Sequence, residues 1–231
     1  MFEDKLFKEI FESQSELKLL IVPAQLTLSA EQAAFDYAKV EAFFDFRVMS
    51  GNKLRAEIIN TAGGLGKTPI NTLGRAMLLR RIAKEKAPEL SVYRSCAASS
   101  QFISYAGDFI VQMKQNNPEG IDLKAAASEF AGGTAAQELL FNKLLDMALL
   151  SSEYEKAMSG KYSDAGDSLA YAAQKAAECP WLKESEIWFE GFYSFTPAEE
   201  KFLKALEANS LGLHINYSAP ADMKKFIYAL S

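Results

Sequence analysis

The sequence predicts an α/β protein in which a parallel sheet, built from both ends of the chain, is interrupted by a large helical insertion. Short continuous apolar runs lie at residues 18–22 and 187–190, and such runs are typical of strands buried on both faces. Between these runs the apolar residues change to helical spacing. Because strands and helices alternate in the end segments, we expect parallel strands joined by right-handed crossovers.

Four strands are predicted, and we expect all four to share one sheet. They lie at about residues 18–22, 45–49, 187–190 and 213–217. We expect no strands to pair with each other within residues 60–175, because apolar residues there follow helical spacing. These borders assign residues 1–49 and 185–231 to a discontinuous α/β domain and residues 50–184 to a helical insertion.

Helices are predicted wherever apolar residues recur every three to four positions between glycine and proline breaks. Ser29 is the expected cap of the second helix, and Thr196, followed by Pro197, is the expected cap of a helix after the third strand. The predicted helices lie at residues 2–14, 29–37, 50–61, 70–86, 90–115, 122–130, 134–159, 164–178, 197–208 and 220–230.

Composition limits the function classes. The chain has 231 residues, 49% of them hydrophobic, and a net charge of −5, which argues against a protein that simply coats nucleic acid. Residues 50–184 carry 16 basic and 15 acidic side chains, a net charge of +1, so the remainder carries −6. Any nucleic-acid surface is therefore expected on the middle segment.

Cysteine and histidine usage excludes several kinds of site. Cys96 and Cys179 lie far apart and form no metal-ligand pattern, which suits a reducing cytoplasm. His214 is the only histidine and lies in an alternating strand pattern, so Ser–His–Asp, Cys–His and histidine-rich zinc sites are discarded. No run approaches the roughly 20 apolar residues of a membrane span.

A carboxylate lies at the end of the third predicted strand. Glu190 follows the apolar run, and Gly191 is expected to end the strand directly after it. Open α/β sheets bind ligands at the carboxyl ends of their strands, and a Walker B acid holds Mg²⁺ at such a position. A strand with an exposed acid at its tip is the simpler interpretation.

The segment Gly-Gly-Leu-Gly-Lys-Thr at residues 63–68 resembles the end of a phosphate-binding loop. A full loop has an earlier glycine at the position of Thr61, and it needs a buried strand before it and a helix directly after the lysine. Here the preceding residues have helical spacing, and Pro69 follows. We therefore expect a turn between two helices, and no bound phosphate at Lys67.

The predicted helix at residues 70–86 is basic. Its charged residues are one acid, Glu85, and five cations: Arg75, Arg80, Arg81, Lys84 and Lys86. Two interpretations are open, a solvated helix face and a surface that follows nucleic-acid phosphates. For the second interpretation, Arg80 and Lys84 are the residues that we expect to contact DNA.

Four segments, in the same order and at similar spacing, resemble the AddB (RexB) family of the bacterial ATP-dependent helicase/deoxyribonuclease. Glu-Gly-Phe-Tyr-Ser-Phe-Thr-Pro-Ala-Glu at 190–199 is similar to that family's Asp-Gly-Phe-x-x-Phe-(Ser/Thr)-Pro-x-Glu. Val-Pro-Ala-Gln-Leu-Thr at 22–27 is similar to Val-Pro-Glu-Gln-Met-Thr. Residues 77–81 and 161–164 resemble two further stretches. The similarity spans nearly the whole chain but only an early portion of a much longer family protein.

The resemblance implies a partial RecA-like, P-loop-helicase-type domain interrupted by a helical subdomain. It implies that Gln25 and Thr27, in the loop after the first strand, contact single-stranded DNA, although a polar loop and helix cap would explain both residues equally well. It places the phosphate loop upstream of residue 2 and the nuclease and iron–sulfur segments far downstream, so the sequence resembles an N-terminal, helicase-like fragment. Glu190 departs from the family's Asp, and Gly191 stands where active helicases have a second acid.

Three functions are therefore carried forward. The leading hypothesis is a structural and DNA-contacting part of a complex that processes double-strand DNA ends for recombinational repair, together with a helicase–nuclease subunit of AddA type. ATP, magnesium and the iron–sulfur cluster are implied only for the full-length protein, and catalysis is expected elsewhere. The alternatives are a free-standing P-loop NTPase or kinase that uses residues 63–68 and Glu190, and a helical protein-interaction module.

Overall fold

The computed structural model describes residues 2–217 except residues 118 and 121. Within them the strands are β1 (Leu17–Val22), β2 (Phe46–Ser50), β3 (Thr68–Pro69), β4 (Tyr162–Ser163), β5 (Ser185–Phe192) and β6 (Gly212–Tyr217). The helices are α1 (Asp4–Glu12), α2 (Thr27–Ala38), α3 (Gly51–Thr61), α4 (Thr72–Lys86), α5 (Ser100–Asn116), α6 (Leu123–Ser128), α7 (Ala135–Met158), α8 (Ala165–Lys175), α9 (Pro180–Lys183) and α10 (Pro197–Glu207).

The four predicted strands form one sheet in the order β2-β1-β5-β6, and every neighbouring pair is parallel. The α/β class with a parallel sheet is therefore confirmed. β1 and β5 are the central strands, with Leu19 opposite Ile187 and Ile21 opposite Phe189.

The chain divides into two compact units. The first unit contains residues 1–65 and 169–231, and the second unit contains residues 66–168. The predicted borders, at residues 50 and 184, differ from these because Leu54 and Ile58 of α3 and Leu182 of α9 belong to the apolar core on the sheet.

The first unit has an apolar core on each face of its sheet. Side chains alternate along β1, so Leu19 and Ile21 pack with α3 and α10, whereas Leu20 and Val22 pack with α1 and α2. All four residues are at most 1% exposed. Burial on both faces explains why this strand is a continuous apolar run.

The second unit is built around α4, α5 and α7, whose apolar faces share one core. The expectation that no strands pair within residues 60–175 is wrong. β3 and β4 form a two-residue parallel pair, in which the Thr68 amide donates to the Lys161 carbonyl at 2.9 Å. Two residues are too few to give a periodic pattern in the sequence.

The predicted helix at 90–115 is also corrected, because α5 begins only at Ser100. The preceding chain is irregular since Asp146 of α7, 3% exposed, accepts hydrogen bonds from three successive backbone amides at 2.8–2.9 Å: Ser91, Val92 and Tyr93. A carboxylate more than fifty residues away therefore holds this segment out of the helical conformation.

Of the two predicted helix caps, one is confirmed and one is wrong. Thr196 caps α10 as predicted, in a reciprocal arrangement with Glu199. Ser29 is not a cap, because α2 already begins at Thr27. The predicted helix at 220–230 lies outside the described residues.

Candidate nucleic-acid interface

The chain segments that follow two neighbouring strands meet at one edge of the sheet. β1 ends at Val22, and its parallel neighbour β5 ends at Phe192. A Cβ atom added to Gly191 would lie 3.3 Å from Cδ1 of Leu26 and 3.3 Å from Cδ of Pro23, so the two segments are in contact. We call this region, residues 22–27 and 190–193, the carboxyl edge. It is the position at which open α/β sheets bind ligands.

Gly191 shapes this edge. Its φ of +83° lies in the left-handed region that favours glycine, and the register between β5 and β6 shifts between Glu190 and Phe192. The prediction that Gly191 ends the strand is wrong, because pairing resumes at Phe192, opposite Tyr217. The glycine forms a bulge that turns the strand end toward the loop after β1.

Glu190 is partly buried beside this bulge. Burial raises the pKa of the Glu190 carboxyl, and the nearby Glu3 raises this pKa further. Hydrogen bonds from Asn216 and from the Gly191 amide oppose the rise in pKa. Asn216 was not predicted from the sequence, although parallel pairing places it directly across from Glu190.

Gln25 and Thr27 lie in the segment after β1. Gln25 is exposed within a short 3₁₀ turn, Ala24–Leu26, and its side chain makes no hydrogen bond within the described part of the chain. The Thr27 hydroxyl donates to the Ala24 carbonyl at 3.0 Å. The Gln25 amide therefore remains available to donate to a ligand, whereas the Thr27 oxygen retains only its acceptor capacity.

Aromatic side chains that were not predicted as functional residues adjoin the carboxyl edge. Phe192 and Phe195 lie 5.3 Å apart by ring centroids, and Phe195 packs edge-on against Tyr217 at 5.9 Å. Tyr193 and Tyr217 are 65% and 62% exposed. Exposed rings beside a polar loop are suited to stack against nucleobases. The signal available in the sequence was the density of aromatic residues at 192–195.

Residues 63–68 form the end of a helix rather than a phosphate cradle. The amides of Gly63 and Gly64 donate to the α3 carbonyls of Asn60 and Ile59, at 3.1 and 2.8 Å. No helix begins at Lys67, since β3 follows it and α4 starts only at Thr72. Two amides of this segment therefore complete α3 instead of forming part of a phosphate cradle.

The basic helix α4 lies in the second unit. Arg80 and Lys84 are both exposed and are one helical turn apart. Arg80 donates to the Ser100 hydroxyl of α5 at 2.8 Å, and Lys84 has no ion-pair partner within the described residues. Two cations at this spacing can contact phosphates along one strand.

The described residues offer neither a metal cluster nor a membrane span. Within residues 2–217, leaving out 118 and 121, no group of three or more His, Cys, Asp or Glu side chains is arranged to hold a metal ion. No helix in that part of the chain is both long and apolar enough to cross a lipid bilayer.

Comparison with known sequences identifies the family. The profile of the family described as "ADDB, N-terminal" matches residues 3–225. The chain belongs to this family. The match covers both units, from the start of α1 to beyond β6.

Individual relatives share one name, that of the B-type subunit of an ATP-dependent helicase/deoxyribonuclease. The chain is 31% identical over 219 residues to this protein from Alkaliphilus oremlandii, and 29% identical over 222 residues to that from Alkaliphilus metalliredigens. It is 30% identical over 225 residues to that from Bacillus mycoides. These matches cover 94%, 96% and 93% of this chain but only 19% of each relative, so the chain spans about a fifth of their length.

Proposed function

We propose that this chain is the helicase-like, single-stranded-DNA-contacting part of a protein that processes double-strand DNA ends for recombinational repair. The observation that carries the proposal is the carboxyl edge, where Gly191 packs against Pro23 and Leu26. It brings two segments that resemble helicase motifs together at the ligand-binding edge of a parallel sheet. On this proposal the first unit is a RecA-like domain, and the second unit is a helical insertion within it.

The chemistry of the carboxyl edge supports a single strand as the ligand. Gln25 offers an amide to phosphate or sugar, and Tyr193 and Tyr217 offer exposed rings to unstacked bases. In the second unit, Arg80 and Lys84 offer charge to the backbone. We assign no base-specific role to any of these residues.

The described residues do not fit a resident ATP–magnesium site. The amides of Gly63 and Gly64 donate to α3 carbonyls, and no helix begins at Lys67 to direct further amides at a phosphate. An iron–sulfur cluster held by cysteines takes four thiolates, and this chain has only two cysteines. On this proposal, the chain has a structural and DNA-contacting role.

The relatives' name describes one subunit of an assembly, so we propose that the chain assembles in the cytoplasm with a helicase–nuclease subunit of AddA type. ATP hydrolysis and nuclease chemistry then belong to the complex and to the longer protein. The free-standing NTPase is not favoured, because the Gly63 amide donates to an α3 carbonyl and β3, rather than a helix, follows Lys67.

Salt-dependent binding of single-stranded DNA tests the proposal. For the Arg80→Ala, Lys84→Ala double variant, we expect weaker binding to labelled oligothymidine in fluorescence anisotropy. The slope of log affinity against log salt should fall by about 0.7 per lost phosphate contact, thus about 1.4 in total. The control is Lys5→Ala with Lys8→Ala, which removes the same charge from exposed positions of α1.

Two results would contradict the proposal. One is a wild-type chain that does not bind oligothymidine even at low ionic strength. The other is an equal change of slope in both double variants, because this would show a response to net charge rather than to the α4 surface.

A further inference from the structure

We infer that the outer edge of β2 is a docking site for an extended segment of the partner protein, which adds a fifth strand to the sheet. This inference rests on the proposed assembly with an AddA-type partner and names the surface that it uses. It concerns the edge of β2, which is distinct from the carboxyl edge.

The backbone of β2 offers a free row of hydrogen-bonding groups. β2 is the outermost strand, and within the described residues it pairs only with β1. The Lys18 amide of β1 donates to the Asp45 carbonyl at 2.7 Å. Because backbone groups alternate in direction along a strand, those of Arg47 and Met49 face β1, whereas those of Phe46 and Val48 face outward. Two amides and two carbonyls therefore face the outer side of β2 without a backbone partner within the described residues.

A groove follows this edge. A cavity of about 260 Å³ is lined by the successive β2 residues 46–49, by Glu31 and Phe35 of α2, by Phe43, and by Lys53 of α3. Successive side chains of a strand point to opposite faces, so a cavity that touches four in a row must run along the edge itself. An extended peptide fits such a groove, and main-chain pairing gives it affinity.

Large apolar side chains are exposed at Phe35, which lines the groove, and at Val40 and Phe44, which lie close to groove residues in the sequence. Phe44 is 96% exposed, Val40 is 43% exposed and Phe35 is 37% exposed. The ring of Phe43 lies 4.7 Å from that of Phe35, which leaves an aromatic wall on one side of the groove. Exposed apolar side chains beside a groove are typical of interaction sites. The docking segment should therefore insert an aromatic or large aliphatic side chain here.

The charged residues of the groove indicate which charge the docking segment should have. The groove is lined by two cations, Arg47 and Lys53, and one acid, Glu31. Arg47 is 58% exposed, and its ion pair with Glu57 is long, at 3.8 Å. Lys53 has no ion-pair partner within the described residues, and a carboxylate on the incoming segment would complement its charge.

The same geometry disfavours a second copy of this chain as the occupant. Two β2 edges that join antiparallel through both Phe46 and Val48 would have Arg47 of one copy opposite Arg47 of the other. Like charges directly opposite each other destabilise such a pair. We therefore assign the groove to a partner whose segment is acidic and apolar.

Hydrogen exchange of the full chain, with and without an AddA-type partner protein, tests the assignment at residue resolution. We expect the amides of Phe46 and Val48 to exchange at least about tenfold more slowly in the complex. Phe44→Asp should weaken the complex by about tenfold or more, as expected for one large apolar side chain that is no longer buried. Leu211→Asp, at a site that is 63% exposed near the opposite edge strand, is the matched control and should have no effect.

Each alternative result has a distinct meaning. A complex in which Phe46 and Val48 exchange as fast as in the free chain would overturn this inference alone. Failure to form any complex would overturn both the inference and the proposed assembly, whereas oligothymidine binding would still report on the proposed DNA contact. Protection that grows with concentration of the chain alone would indicate a second copy as the occupant, and would overturn the assignment to a partner.

Discussion

Replacing Gly191 with alanine tests the contact that forms the carboxyl edge. At a φ of +83° alanine costs about 1–2 kcal/mol more than glycine. The new methyl group would also lie 3.3 Å from both Leu26 and Pro23, and the shift that this requires costs about 1 kcal/mol more. We expect Gly191→Ala to lower the free energy of unfolding by about 2–3 kcal/mol.

Gly63→Ala is the matched control for this variant. Gly63 has a φ of +86° in the same unit, but a Cβ atom there would have no atom within 4 Å. Gly63→Ala should therefore lower the free energy of unfolding only by the cost of the backbone conformation, about 1–2 kcal/mol. The change in the entropy of the unfolded chain is the same in both variants.

Urea unfolding followed by tryptophan fluorescence measures the difference. Both tryptophans, Trp181 and Trp188, lie in the first unit, so the signal reports on the unit that contains both glycines. Gly191→Ala should also weaken binding to oligothymidine, because it displaces the loop that contains Gln25. Equal losses of stability in the two variants would refute the close contact at the carboxyl edge.

Three further predictions concern single carboxylates and the lysine of the glycine-rich segment. Because burial raises the pKa of Glu190, folding disfavours its ionised form. Glu190→Gln should therefore stabilise the chain at pH values above the folded pKa of Glu190, and this gain should disappear as the pH falls to the ordinary value of 4.5. Urea unfolding at several pH values measures the difference. Asp146→Ala leaves three backbone amides without their acceptor and should cost about 3 kcal/mol or more. Because Asp146 lies in the second unit, which contains no tryptophan, this cost is measured by urea unfolding followed by far-ultraviolet circular dichroism. A cost below about 1 kcal/mol would contradict the role of this carboxylate. Calorimetry should detect no Mg-ATP binding, and binding that disappears in Lys67→Ala would establish a phosphate loop and contradict our account.

The sheet was predictable because its pattern is local. The run from Leu19 to Val22 is apolar at every position, and only a strand covered on both faces buries such a run. The cap at Thr196 was predictable for the same reason, since its partner Glu199 lies three residues away. A structural feature can be predicted from the sequence where the residues that cause it lie within a few positions of each other.

The remaining features depend on contacts between residues that lie far apart in the sequence. Asp146 lies more than fifty residues from residues 91–93 in the sequence, yet its hydrogen bonds hold them out of a helix. The spacing of apolar residues gives no sign of these hydrogen bonds. Gly191 was correctly singled out but misinterpreted, because a left-handed glycine can end a strand or bulge it. Only the pairing of Phe192 with Tyr217 decides between these two outcomes.

The most direct test of the proposed DNA contact is ultraviolet cross-linking of oligothymidine to the wild-type chain, followed by mass spectrometry of its peptides. We expect cross-links in the peptides that contain residues 22–27 and 190–199, because exposed Tyr193 and the Gln25 loop lie at the carboxyl edge. The same peptides should lose their cross-links in Gly191→Ala. A chain that binds oligothymidine but cross-links neither in these two segments nor at Tyr217 would contradict the account.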